Sequence, residues 1–162
     1  SYGKQSKNNS SLKNRYRLMW MDAVYEPGEV KVVAYNKDGK AVAEKVVRTA
    51  GKPHHIELVS NRNELTADGK DLAYVTVKVV DKDGNLCPTD NRQINFSAKG
   101  AGKYRAAANG DPTNLEQFHL PKMHAFNGML TAIIQAGETA GEIVFTAKAN
   151  GVKAGNIRIQ TK

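Results

Sequence analysis

The stretch DLAYVTVKVVDKDGN, residues 71–85, decides the fold class of this 162-residue chain. Successive side chains of a β-strand point to opposite faces of its sheet, so odd-numbered and even-numbered residues separate here. The two sets are Ala73, Val75, Val77 and Val79 on one face, and Leu72, Tyr74, Thr76 and Lys78 on the other. The first set is apolar throughout. It predicts the core face of a strand that ends at the turn signal Asp83-Gly84.

Six further short runs of strand-forming residues follow residue 53, and glycine-containing turn signals separate them. The runs are HIELVS, RQINFSAK, KYRAAA, MLTAIIQA, GEIVFTAKA and AGNIRIQTK. Seven short strands within about 110 residues are typical of an immunoglobulin-like β-sandwich. We therefore expect an all-β domain over residues 53–162.

The first 52 residues carry strand signals of their own. The runs RYRLMWM (15–21), EVKVVAYN (29–36) and AVAEKVVRT (41–49) predict three strands, with turns at Pro27-Gly28 and Asp38-Gly39. Pro53 lacks an N–H for a sheet and restricts the residue before it. We therefore expect a linker over residues 50–53 and a separate β unit over residues 1–52.

Composition and charge exclude several function classes. The net charge is +8, from 24 Lys and Arg against 16 Asp and Glu, and no block of like charges stands out. This spread does not predict a nucleic-acid partner. No apolar run reaches the length of about eighteen residues that predicts a membrane span. The single cysteine, Cys87, has no partner for a disulfide within the chain and is predicted to be a buried or turn thiol rather than a nucleophile.

The acidic and histidine residues predict no catalytic, metal or cofactor site. Asp111 and Glu116 alone could supply the carboxylate pair of a glycosidase, but loop carboxylates are more often turn or capping groups. DKDGN (81–85) resembles a calcium loop but lacks its glycine and bidentate glutamate positions. His54 and His55 are adjacent on a predicted strand and would face opposite ways.

Three aromatic residues of the first unit allow two interpretations. Trp20, Tyr25 and Tyr35 could form a flat platform that stacks on a sugar ring. Alternatively, Trp20 fills the core of a small unit with few other large side chains, which is the more common use of such a residue. Trp20, Tyr25, Asp111 and Glu116 are the candidate ligand-binding residues.

The order of motifs resembles one enzyme family. YRLMWMDAVYEPGEVKVVAYNKDGKAVAEKVVRTAGKPHHIEL, residues 16–58, is similar to the segment that follows the catalytic barrel in bacterial β-galactosidases of glycoside hydrolase family 2. LTADGKDLAYVTVKVVDKDGN, with NGDPT and AFNG, resembles their C-terminal immunoglobulin-like domain. The resemblance implies a first unit that lacks its leading strands, and a parent that cleaves galactosides by the retaining mechanism. It implies no catalytic residue here, because the family's two glutamates lie on the barrel.

The connection over residues 108–129 is far longer than the roughly two to five residues that usually join strands. Its turn-forming residues and its own apolar side chains predict an ordered crossover that covers one face of the sandwich, with Phe126 as its anchor. The residues assigned to this structural loop are Asn109, Gly110, Asp111, Pro112, Phe126, Asn127 and Gly128.

Two function classes remain open. The first is a structural, non-catalytic module of a β-galactosidase-like enzyme, whose partners are the upstream catalytic domains of the same polypeptide. The second is a carbohydrate-binding or adhesion-type immunoglobulin-like module. Missing leading strands would leave an open sheet edge, through which the chain could self-associate. The parent is expected to act in the periplasm or outside the cell.

Overall fold

The computed structural model describes residues 1–162 and divides into two compact units, Ser1–Arg48 and Thr49–Lys162. The boundary expected from the sequence, between Lys52 and Pro53, falls four residues later than this division. The difference has a local cause. The Gly51 N–H donates to the Asp81 carboxylate at 2.7 Å, so the expected linker is bonded to the second unit.

The first unit consists of one short helix and one β-hairpin. Helix α1 spans Leu12–Tyr16, and its N-cap Ser11 accepts a hydrogen bond from the Asn14 N–H through its side chain. Strands β1 (Glu29–Tyr35) and β2 (Ala41–Arg48) pair antiparallel. No residue of this unit is fully buried. No helix in the structure has the length and apolar character to cross a membrane.

The prediction of a strand over residues 15–21 is wrong. Residues 12–16 are helical and residues 17–20 have no regular structure. A strand needs a neighbour to receive its backbone hydrogen bonds, and no other strand lies beside this segment. A capped helical turn satisfies these groups locally instead.

The second unit contains nine strands, which confirms the all-β class. They are β3 (His55–Ser60), β4 (Glu64–Leu65), β5 (Leu72–Val80), β6 (Gln93–Gly100), β7 (Gly102–Ala108), β8 (Lys122–His124), β9 (Met129–Ala136), β10 (Gly141–Lys148) and β11 (Gly155–Thr161). Sheet I has the order β3-β5-β9-β7, and sheet II has the order β4-β11-β10-β6-β8. The seven predicted strands are all present. The short strands β4 and β8 were not predicted.

The core lies between the two sheets. Ala73, Val75, Val77 and Val79 are completely buried, as the alternation in β5 predicts. From sheet II, Phe145 stacks on Phe96 at a centroid distance of 5.9 Å, and Phe96 stacks on Tyr104 of sheet I at 5.5 Å. Rings from both layers therefore form one continuous stack across the core.

The chain changes sheets at Gly100-Ala101-Gly102, where β6 of sheet II leads into β7 of sheet I. A Cβ on Gly102 would lie 2.5 Å from the Gln135 carbonyl oxygen and would also overlap the Ile143 side chain. Gly100 has φ +94, a conformation that side chains rarely allow. Glycine at both positions lets the two layers approach closely at this corner.

Candidate functional site

The first half of the long loop is held by side-chain caps. The Asn109 side chain accepts from the Asp111 N–H at 3.0 Å and donates to the His124 carbonyl at 3.0 Å. Asp111 Oδ1 accepts from the Thr113 N–H at 2.8 Å and from its hydroxyl at 2.7 Å. These bonds, the backbone one above all, lower the pKa of Asp111. The geometry around Asp111 is that of a turn-forming carboxylate.

Glu116 is bound to a different part of the loop. Its Oε1 lies 3.0 Å from His124 Nδ1, and its Oε2 accepts from the His124 N–H at 3.0 Å. Asp111 and Glu116 thus have separate partners, and the groove that Glu116 lines does not include Asp111. The structure does not bring these two carboxylates together as a pair facing one cavity.

The second half of the loop is anchored by Met123 rather than by Phe126. Met123 is completely buried, whereas Phe126 is only half-buried. The reason is that β8 pairs with β6, opposing Met123 to Ile94, and this pairing directs Met123 into the core. The polar-apolar-polar order Lys122-Met123-His124 fits this strand but is too short to predict it from the sequence.

Tyr104 fixes the middle of the loop. Its hydroxyl donates to the carbonyl of Leu120 at 2.7 Å, and it lies 3.1 Å from the carbonyl of Phe118. The Ala107 N–H also donates to the Phe118 carbonyl, at 2.8 Å. Burial raises the pKa of Tyr104 to about 12, so the hydroxyl keeps its proton and remains a donor.

The loop ends in a tight two-residue turn. Phe126 and Met129 exchange backbone hydrogen bonds of 2.9 and 3.1 Å across Asn127 and Gly128. Both central residues have positive φ, 52° and 76°, which is the conformation that an Asn-Gly pair favours in a tight hairpin. A Cβ at Gly128 would overlap the Cys87 carbonyl. Glycine is therefore required here for both its backbone conformation and its size.

The DKDGN segment contains a buried structural carboxylate. Asp81 is 2% exposed and accepts from the N–H groups of Gly51, Asp83 and Asn85 at 2.7–2.9 Å. These hydrogen bonds, that of Gly51 foremost, hold the pKa of Asp81 well below its usual range. Cys87 lies nearby and is buried as predicted, and its burial raises the pKa of the thiol.

The remaining candidates form no joint site. His54 and His55 do not face opposite ways, because their Nδ1 atoms lie 3.0 Å apart; His54 precedes β3 and is free of its alternation. No group of three potential metal ligands occurs in the 162 residues. Trp20 is half-buried with an unpartnered buried Nε1, and Tyr25 is 75% exposed. The ring of Tyr35 is covered by the Lys4 ammonium at 5.2 Å.

The outer faces of the two sheets differ in chemistry. On sheet II, Arg158 pairs with Glu142, and the Thr146 hydroxyl bonds the Asn156 side chain at 2.7 Å. The outer face of sheet I instead presents the exposed apolar side chains Val59, Tyr74 and Met129. Sequence reasoning missed this contrast, because the register across four strands is needed to assemble the face.

A shallow groove lies at one end of the sheet I face, beside the long loop. Leu72 of β5 and Ile133 of β9 line its floor, and residues 115–119 form one wall. Leu115 is 96% exposed and Phe118 is 57% exposed. The cationic side chains of Lys70 and Arg105 also line the groove.

Comparison with known families divides the chain much as the structure does. Residues 56–158 match the family described as glycoside hydrolase family 2 C-terminal domain 5. Residues 1–43 match a domain of unknown function, DUF4982. The first match covers most of the second unit, and the other covers most of the first unit.

Individual relatives are much longer proteins. The chain is 43% identical over 138 residues to the β-galactosidase BoGH2A of Bacteroides ovatus, covering 85% of this chain and 16% of that protein. It is 34% identical over 126 residues to a β-galactosidase of Thermoanaerobacter pseudethanolicus, covering 77% and 15%. A crystal structure of a glycosyl hydrolase family 2 member from Bacteroides cellulosilyticus superposes with a TM-score of 0.79 at 31% identity, covering 86% of this chain and 18% of that one.

Proposed function

Because the chain belongs to glycoside hydrolase family 2 through its C-terminal domain 5, we propose that it is the non-catalytic β-sandwich region of a β-galactosidase. Its role is to pack against upstream domains of the same polypeptide. The full-length protein hydrolyses the O-glycosyl bonds of β-galactosides. The observation that carries the proposal is a C-terminal-domain match within a chain that spans only 15–16% of its curated relatives.

The bonding of the acidic residues supports the non-catalytic role. A retaining glycosidase holds two carboxyl groups about 5–5.5 Å apart on either side of the scissile bond. Here Asp111 is bound to Thr113, Glu116 to His124, and Asp81 to three backbone N–H groups. Each of these carboxylates stabilises local backbone or a neighbouring side chain, which leaves it poorly placed to attack or protonate a sugar.

The relatives support β-galactosides as the substrate class. Both curated relatives described above are β-galactosidases, and the more similar of them shares 43% of its aligned residues with this chain. Substrate choice in the full-length protein is then made by domains other than this one.

Two proteins test the proposal: the full-length parent and the 162-residue chain. We expect the parent to hydrolyse nitrophenyl β-galactoside in preference to nitrophenyl β-glucuronide. We expect the 162-residue chain alone to hydrolyse neither compound. Turnover by the purified chain that is lost on Asp111→Asn or Glu116→Gln substitution would overturn the non-catalytic role. Binding of galactose by the chain, lost in Tyr25→Ala, would instead favour a carbohydrate-binding module.

We also propose that the parent works in the periplasm or outside the cell. The single thiol of this region, Cys87, is 4% exposed and thus protected from oxidative pairing, which suits an oxidising compartment. Cell fractionation of the native host, followed by the galactosidase assay, tests this location. Activity confined to the cytoplasmic fraction would contradict it.

A further inference from the structure

We propose that the outer face of sheet I is the surface through which this region docks onto the upstream part of its own polypeptide. The inference rests on the proposed function and adds which of the two sheets is used. We call this surface the docking face and define it by Val59, Tyr74, Leu115, Phe118 and Met129. These five residues are the large apolar side chains that the second unit leaves exposed.

The three strand residues of the docking face project from one face of sheet I, and the two loop residues line the groove at one end of that face. Cross-strand register places Tyr74 opposite Ile133, and Val59 lies two residues along the same face, opposite Thr76. Met129 pairs with Lys78 at the next position of that face. Single exposed apolar residues are ordinary on protein surfaces, whereas all five exposed large apolar residues of this unit occur on or beside one sheet face, which indicates a contact surface.

The loop residues of the docking face are held outward by an ordered backbone. The Asn114 N–H donates to the Asp111 carbonyl at 3.2 Å, and the Glu116 N–H donates to the Asn114 side chain at 3.0 Å. Leu115 is therefore fixed between two bonded residues while its side chain stays 96% exposed. Because the backbone around Leu115 is already ordered, a partner that covers this residue has to immobilise only its side chain.

The charges around the docking face indicate the character of its partner. Lys70 and Arg105 line the groove and form no ion pair within the 162 residues, whereas Glu57 pairs with Lys78 and the Glu116 carboxylate contacts the His124 ring. An apolar surface with acidic groups at its rim would complement this arrangement. A second copy would bring the same unpaired cations towards each other across a two-fold axis, which is unfavourable.

The length of the relatives outside the matched region indicates which partner carries the complementary surface. About five-sixths of each curated relative lies beyond the matched region, and the family description places this domain at the C-terminal side. A surface tethered in the same polypeptide has a far higher effective concentration than any free partner. The upstream region of the parent is therefore the occupant that the face most readily binds.

Hydroxyl-radical footprinting tests the inference, because Tyr74, Phe118 and Met129 are all readily oxidised side chains. Their oxidation rates are compared between the dilute 162-residue chain and the full-length parent. A Ser97→Met substitution supplies a matched probe on the outer face of sheet II, where Ser97 is exposed. Buried Met123 reports whether the unit remains folded in both proteins.

We expect oxidation of Tyr74, Phe118 and Met129 to be several-fold slower in the parent than in the chain, with the Ser97→Met probe unchanged. Protection of the probe alone would overturn the choice of face but leave the packing role intact. Equal oxidation of both faces in the two proteins would overturn the packing role as well. Protection of the docking face in the chain alone, growing with its concentration, would make a second copy the occupant and overturn the inference.

Discussion

The hairpin of the first unit and the sheets of the second unit use the same kind of strand with opposite results. In the hairpin, Val30 and Val47 face each other across the strands and remain 59% and 63% exposed. In sheet I, Val75 and Val77 have the same chemistry and are completely buried. The difference is a second layer. Alternation makes a strand amphipathic, but only an opposing sheet removes its apolar face from water.

The two faces of the hairpin differ in charge. Its ion pairs, Lys31 with Glu44 and Arg48 with Glu29, both measure 2.8 Å. The register places these charges on the face opposite to Val30 and Val47. The separation is incomplete, because Val33 and Val46 lie on the charged face and are the half-buried residues of the two strands.

The largest effect should come from removing a ring from the layered core. Phe145→Ala should lower the free energy of unfolding by about 3–5 kcal/mol, because it opens a cavity between two sheets that pack on each other. The hairpin control, Val47→Ala, should change it by no more than about 0.5 kcal/mol, as is usual for exposed sites. Urea unfolding followed by circular dichroism measures both. Similar losses of unfolding free energy in Phe145→Ala and Val47→Ala would contradict the difference drawn between the layered sheets and the hairpin.

Within the second unit, Met123→Ala should cost about 2–5 kcal/mol, since the side chain is completely buried. Phe126→Ala should cost clearly less, because this residue is already partly exposed to water. The same urea experiment ranks the two residues. A greater loss from Phe126→Ala would mean that the end of the loop, and not β8, holds the crossover in place.

Acid should weaken the second unit through its bonded carboxylates. Arg62 binds Asp71 through two hydrogen bonds of 2.7 and 2.9 Å, which lowers the pKa of Asp71 from 3.8 to about 2. A carboxyl with a lower pKa in the folded state stabilises that state above pH 3.8, and this contribution is lost as the pH falls towards 2. Asp71→Asn should therefore flatten the decline in melting temperature over this range. An unchanged slope would show that Asp71 is not a source of acid sensitivity.

A double substitution on the exposed face of the hairpin should have the smallest effect on stability and should reduce self-association of the chain. Val30→Glu together with Val47→Lys replaces an apolar cross-strand pair by opposite charges, which keeps the hairpin paired. The unfolding curve of the second unit should not move. Self-association across a concentration series in sedimentation velocity should decrease if the apolar face of the hairpin causes it. Equal association of both proteins would point to the open strand edges instead.

The sequence was sufficient for those strands whose pattern is long and regular. Eight residues of alternation predicted β5 and its buried valines, and glycine turns delimited the other long strands. Strands β4 and β8 have two and three residues, too few for a pattern, and depend on the neighbours that they pair with. The strand expected over residues 15–21 was wrong because no neighbour was available to pair with it.

The docking face was less predictable than the fold. Leu115 and Phe118 occur in a loop whose apolar residues suggested burial, and the sequence gives no indication that the backbone turns them outward. Tyr74 and Met129 are more than fifty residues apart and share one face of sheet I only through the register of β5 and β9. Patterns within one segment predict elements, whereas a surface is assembled from several segments.

The hydrogen bond from Gly51 to Asp81 limits how far the second unit can be shortened at its N-terminal end. A chain shortened to begin at Pro53, the boundary that its proline suggests, would lose the closest of the donors to a carboxylate that is 2% exposed. The remaining donors, from Asp83 and Asn85, would leave that charge incompletely solvated by the protein. The smallest independently folding piece should therefore begin at Thr49, and the four residues before Pro53 should raise its melting temperature although they belong to no strand.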